Sequence, residues 1–257
     1  MKIAVINAKG GTGKTTSAIN LAHAIANSKR KVLICDLDPQ ASASFSLGFN
    51  RDSLYPSIAD VFFENYPIQK AIRTTSIKGV DILTASIALS SFDIIFSQEN
   101  GRESKLKNSL SKLKGYDVVI FDPPPTLGLL PLNAIVASDR LIVPVQPQYL
   151  ALEGLQTLFE ALERFKSGVG YNATLMGILL TQVDRRSKAA GEIIELIRKN
   201  YKNQVFKTEI RTNTRLAEAP SFGKSIFQYD FSSTGAQTYQ SLAHEVLSAM
   251  KKGKENV

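Results

Sequence analysis

Nine residues near the start of the chain, Ala8-Lys9-Gly10-Gly11-Thr12-Gly13-Lys14-Thr15-Thr16, follow an aliphatic run and open a stretch of helical periodicity. Strand, glycine loop and helix in that order form an anion-binding turn. Glycines let backbone N–H groups converge on phosphate oxygens, and the helix N-terminus adds positive potential. Within this pattern Lys14 is placed for β- and γ-phosphates and Thr15 for Mg²⁺. The strict spacing G-x-x-x-x-G-K-[ST] is broken at its first position by Ala8, and Lys9 adds a second cation to the loop. The bland alternative is a glycine-rich turn with no ligand.

The rest of the chain alternates short apolar runs with helical segments. Strands are expected at residues 2–7, 31–36, 80–84, 118–122, 141–145, 175–181 and 205–209. Several are apolar without alternation, as in strands covered on both faces. Ala18, Leu21, Ala22 and Ile25 share one helical face, as do Leu155, Leu158, Phe159, Leu162 and Phe165. Tyr239, Leu242, Ala243, Val246, Leu247 and Met250 do so in a last helix. The expectation is an α/β fold: a doubly wound, mostly parallel sheet with helices on both faces, organised as one domain over residues 1–257. Ligands in such folds sit at the carboxyl ends of strands. Residues 45–77 are the least regular and read as short helices and loops.

Several function classes fall to composition. The longest uncharged apolar stretch, residues 123–138, holds four prolines and cannot serve as a membrane span. The N-terminus has no leader pattern, so a cytoplasmic protein is expected. A single cysteine, Cys35, excludes a disulfide framework and multi-thiolate metal sites within one chain. His23 and His244 have no companion at metal spacing and read as structural. The formal net charge of +8 is shared evenly between the two halves, but residues 184–215 carry nine basic and four acidic side chains. That stretch suits an acidic partner. Part of it also reads as an ordinary solvated helix face, with Glu195 and Lys199 four residues apart. Phe and Tyr residues between 222 and 231 read as a packed loop rather than a base-stacking surface.

Two carboxylate sites complete the loop. The apolar run 118–122 ends in Asp122, a position that holds Mg²⁺ beside a phosphate loop. The run 31–36 ends in Asp36-Leu37-Asp38-Pro39-Gln40. This is the place for a carboxylate that orients water for in-line attack, and equally what a plain loop start looks like.

Taken together, KGGTGKTT, DLDPQ, FDPPPTLGLLPLNA, VPVQPQYLALEGL and RLAEAPSFGKSI resemble the ParA/Soj group of partition ATPases, in the deviant Walker A (MinD/ParA) class of P-loop proteins. The resemblance runs from Lys2 to about Ala249. It implies a P-loop NTPase fold and ATP with Mg²⁺ as cofactors. Lys9 is similar to the signature lysine that reaches the partner's phosphates in an ATP-sandwich homodimer. Gly10, Gly11, Thr12, Gly13, Lys14 and Thr16 match the phosphate cradle, Thr15 and Asp122 the magnesium ligands, and Asp38 the residue that positions the hydrolytic water. Arg186, Arg215 and the adjoining Lys188 match a surface for non-specific double-stranded DNA. A ParB-like centromere-binding partner that stimulates hydrolysis, and a nucleoid location, are also implied, as is the preference for ATP over GTP. Ala41-Ser42-Ala43-Ser44 and Pro123-Pro124-Pro125-Thr126 depart from the group's usual sequences. Two alternatives stay open: a MinD-like or protein-cargo positioning ATPase, and a metabolic ATP-dependent ligase on the same fold. Residues 251–257 lack the bulky apolar side chains a membrane-binding helix needs.

Overall fold

Aliphatic runs that cannot be solvated on either face become the strands of one sheet in the computed structural model, which describes residues 1–255, with side chains through Lys251. The C-terminal end weighed above against membrane attachment lies outside the described side chains from residue 252 on. The strands are β1 (Lys2–Val5), β2 (Val32–Asp36), β3 (Ile72–Thr74), β4 (Val80–Leu83), β5 (Val118–Asp122), β6 (Arg140–Val145), β7 (Thr174–Val183) and β8 (Val205–Arg211). Their order across the sheet is β3-β4-β2-β5-β1-β6-β7-β8. Every pairing is parallel except β3 with β4.

Alternate side chains of each central strand enter opposite layers. Ile3 and Val5 pack with Ile34, with the helix Lys14–Ala26 and with Tyr239, Leu242 and Val246 of the helix Thr234–Glu255. Ala4, Leu33, Cys35 and Phe121 pack on the other face with Phe62, Phe92, Leu130, Leu155 and Leu158. Each fully buried Leu, Ile or Phe contributes roughly 1.5–3 kcal/mol, so these two layers are the main cohesive force. Cys35 is wholly buried in the second layer, where burial raises its thiol pKa.

The doubly wound expectation holds, and the irregular stretch 45–77 is corrected in one respect. Besides the short helices Ile58–Phe63 and Ile68–Ala71 it contains the antiparallel edge strand β3. Three residues directly after a helical turn carry no usable periodicity, so only the sheet partner reveals the strand.

β1 lies between β5 and β6, the point where successive connections diverge to either side. The loops leaving β1, β2, β5 and β7 therefore open at one edge, where open α/β sheets bind ligands.

Candidate active site at the glycine loop

The loop after β1 is built to receive an anion. Gly11 and Gly13 have φ of 73° and 82°, a left-handed conformation that a Cβ would strain. Gly13 is the N-cap of the helix Lys14–Ala26, and no side chain caps that end. The first N–H groups of that helix, at Lys14, Thr15 and Thr16, precede any intrahelical acceptor and stand free at its start. The Lys9 N–H donates to Asn7 Oδ1 and the Ser17 N–H to the Gly13 carbonyl, bracketing the loop and that helix start. A run of converging donors at a helix N-terminus is a phosphate cradle.

The cradle is fixed from outside itself. Asn7 Nδ2 donates to the Pro144 carbonyl at 2.7 Å, Thr181 Oγ1 donates to the Thr12 carbonyl at 2.8 Å, and Gln182 Nε2 donates to the Gly11 carbonyl. Lys14 is 7% exposed and its Nζ donates to the Lys9 carbonyl at 3.2 Å. Burial holds its pKa below the ordinary lysine value, against the attraction of Asp122 and Asp38. A buried ammonium resting on a carbonyl is poised for a stronger, charge-assisted acceptor.

Asp122 is 1% exposed, and among the described residues neither of its carboxylate oxygens has a hydrogen-bond partner. Burial and the neighbouring Asp36 raise its pKa, while the Thr15 hydroxyl and Lys14 pull the other way. Leaving a buried carboxylate without partners costs several kcal/mol, at the order of magnitude, unless a cation or proton joins it. These orphaned oxygens beside a threonine hydroxyl fit a hard divalent cation that takes oxygen ligands.

Asp36 is an addition to the residues expected from sequence. It is fully buried, and its carboxylate accepts from the Asp38 N–H (3.2 Å), the Ser44 N–H (2.9 Å) and the Ser44 hydroxyl (2.8 Å). Burial raises its pKa too, opposed by those hydrogen bonds. Asp36 thus holds the backbone of Asp38 and the start of the helix Ser42–Ser46, leaving the Asp38 side chain on the cavity wall. Asp38 Oδ1 accepts from the Gln40 N–H at 2.9 Å. The sequence signal was the D-x-D spacing, but Ser44 as the partner was not legible.

A cavity of about 590 Å³ opens over the loop, bounded by Lys14, Asp38, Gln182, Arg211, Asn213 and Tyr239. That volume suits one nucleotide-sized ligand. Residues 210–213, Leu216 and Ala217 also line the cavity and were not assigned to the site from sequence. Tyr239 is buried there with its hydroxyl 3.1 Å from Ser17 Oγ.

Of the three expected DNA-facing residues, all exposed, the two arginines are ion-paired. Arg186 lies in a two-pronged ion pair with Asp184 at 3.0 Å, and Arg215 pairs with Glu218 at 3.2 Å and Asp230 at 3.8 Å. Lys188 begins the helix Lys188–Tyr201 and makes no ion pair among the described residues. Glu195 and Lys199 lie on the exposed face of that helix, while Arg185 and Arg198 converge on Glu209 of β8. Phe222 and Phe231 are 62% and 73% exposed, while Phe227 is buried, so the loop 222–231 is packed only in part. His23 is structural as expected, with Nδ1 2.6 Å from Ser225 Oγ and its ring against Phe227.

A family model described as an AAA domain matches residues 1–176. The chromosome partitioning protein ParA of Myxococcus xanthus is 38% identical over 246 residues, covering 95% of this chain and 87% of that protein. The sporulation initiation inhibitor protein Soj of Bacillus subtilis is 38% identical over 245 residues, covering 95% and 97%. The chain belongs to the ParA/Soj family of partition ATPases. It is accordingly an ATPase whose cofactors are ATP and magnesium. A solved structure from Mycobacterium smegmatis described as cobyrinic acid a,c-diamide synthase, with bound ADP and magnesium, superposes with a TM-score of 0.85 at 31% identity. It covers 98% of this chain and 96% of that one. No helix among the described residues of this partition ATPase is long and apolar enough to cross a membrane.

Proposed function

We propose that this partition ATPase is a nucleotide-driven DNA-binding switch, working as one domain over residues 1–257. In this reading ATP closes a sandwich homodimer that binds double-stranded DNA without sequence preference and so associates with the nucleoid. Hydrolysis stimulated by a ParB-like partner then releases it. The observation that carries the reading is the conjunction of an uncapped helix start at Lys14, after the glycine loop, with the orphaned carboxylate of Asp122.

The assigned roles follow from chemistry. Residues 10–16 cradle the phosphates through their N–H groups, and Lys14 exchanges the Lys9 carbonyl for phosphate oxygen. Thr15 and Asp122 would hold magnesium, which when bound neutralises charge on the β- and γ-phosphates. Asp38, its backbone fixed by Asp36, accepts hydrogen bonds from the attacking water and aligns it. Lys9 offers its ammonium to phosphates across the dimer interface. Arg186, Lys188 and Arg215 neutralise DNA phosphates, so binding falls with salt and does not read bases.

The test is binding to random-sequence duplex DNA with no nucleotide, ADP, ATP or a slowly hydrolysed ATP analogue, at two salt concentrations. ATP-selective, salt-sensitive binding that is lost in Arg186→Glu/Arg215→Glu supports the switch. Loss of the ATP-dependent dimer in that variant would make these arginines interface residues. Asp38→Ala should retain ATP binding and accumulate the dimer without turnover. Retained turnover would remove Asp38 from its role.

A second reading, a metabolic ATP-dependent ligase, is favoured only by the description of the Mycobacterium smegmatis neighbour. Its outcome in the same experiment is DNA indifference in every nucleotide state, with phosphate release dependent on a small carboxylic acid.

A further inference from the structure

The Lys9 ammonium donates to the Gln148 side-chain oxygen at 3.1 Å, although the two residues lie 139 positions apart. Lys9 makes no ion pair among the described residues. Both residues are pinned at the backbone. The Lys9 N–H donates to Asn7 Oδ1 at 2.9 Å and its carbonyl accepts from Lys14 Nζ. The Gln148 N–H donates to the Gln146 carbonyl at 2.9 Å, and its own carbonyl accepts from the Ala151 N–H at 2.8 Å, where the helix Ala151–Val169 begins. What remains adjustable is the pair of side chains.

We infer that Gln148 is the positioning residue for Lys9: its amide oxygen orders the lysine side chain while leaving the positive charge uncancelled. The inference rests on the reading of Lys9 as the cation that reaches phosphate across the dimer. A free lysine must give up rotamer freedom to make that contact, and a pre-placed one has already done so. A neutral amide takes one of three ammonium donors and leaves two, with the full charge, for phosphate. A carboxylate in the same place would form an ion pair and compete with phosphate for it. The surroundings fit a surface that another copy covers. Tyr149, next in sequence, is 91% exposed, the highest value among the large apolar side chains of the described residues, and Leu150 is 55% exposed.

The experiment compares Gln148→Met, Gln148→Glu and Lys9→Ala with the native chain. ATP affinity of the monomer is read by a fluorescent analogue at low protein concentration, and ATP-dependent dimerisation by sedimentation. Gln148→Met keeps the length and removes the acceptor. It should weaken dimerisation about fivefold, as for one exposed hydrogen bond to a charged group, with monomer affinity unchanged. Gln148→Glu should weaken dimerisation at low salt and return toward the native value measured at the same salt, as salt rises from about 0.05 to 0.5 M. A purely structural role for Gln148 gives no such recovery. Native-like dimerisation by Gln148→Met, an equal loss of monomer ATP affinity, or a salt-independent defect in Gln148→Glu would overturn the inference. If Lys9→Ala dimerises normally, the underlying reading of Lys9 fails. If Lys9→Ala fails to dimerise while Gln148→Met is native-like, only the role of Gln148 is lost.

Discussion

Asp36 and Asp122 are register partners on adjacent strands and both are excluded from water, yet among the described residues Asp36 accepts three hydrogen bonds and Asp122 none. One carboxylate is a fastening inside the protein, and the other is left for something outside it.

This asymmetry sets a pH dependence. Burial raises both pKa values above the unfolded value of about 4, so between there and neutrality the folded chain binds more protons than the unfolded one. With ν_U below ν_N, stability falls as pH rises through that window. Urea unfolding without nucleotide should show the fall, and Asp122→Asn should flatten it. That variant should gain on the order of 1–2 kcal/mol at pH 8. It should also lose magnesium-dependent nucleotide binding. An equally steep pH profile in Asp122→Asn would show that the proton uptake lies elsewhere.

Lys14→Ala should separate stability from function. The ammonium is buried against its own tendency to stay solvated, so its removal should leave the melting temperature unchanged or higher. ATP affinity should fall by about a hundredfold or more, the consequence of deleting a charge-assisted phosphate contact at a desolvated site. Calorimetric titration with ATP and thermal unfolding in the absence of nucleotide measure the two separately.

Gly223→Ala should be among the more damaging single-methyl changes. Gly223 has φ of 63°, and a Cβ there would lie 2.7 Å from the Gly48 Cα, a backbone atom that cannot rotate aside. The contact ties the turn after the helix Ser42–Ser46 to the segment before Ile226. Strain and displaced backbone together should cost about 2–4 kcal/mol by chemical denaturation. A loss below about 0.5 kcal/mol would mean that the two turns separate freely.

Asp184→Asn should strengthen DNA binding. Asp184, its pKa held at about 2 by Arg186, engages that guanidinium through both carboxylate oxygens. Freeing Arg186 should raise affinity for random duplex about two- to threefold and steepen the salt dependence by about one phosphate contact. An unchanged salt slope would exclude Arg186 from the contact surface.

Much of this arrangement was legible in the chain itself. Gly10 to Thr16 stand after an apolar strand, and Asp122 closes another, so local pattern places both on one sheet edge. What escaped depended on partners far away in sequence. Ser44 meets Asp36 only after the helix Ser42–Ser46 has turned back on β2, and Thr181 meets Thr12 across a separation of 169 residues. In the basic segment the solvated helix face was legible, since Glu195 and Lys199 both lie exposed, whereas the convergence of Arg185 and Arg198 on Glu209 was not, because it joins residues of separate elements. β3 is set by its neighbour β4 and has no pattern of its own.

The position of β1 between β5 and β6 divides the sheet into two wings made by successive parts of the chain. Residues up to Asp122 build β1 and the wing that carries Asp36 and Asp38. Residues from Arg140 onward build the wing that carries Gln148, Thr181 and Arg211. A molecule in the cavity over the glycine loop touches both, and so acts as a rivet through the seam. Contacts made there span the seam, so binding should hold the two halves of the protein more firmly together.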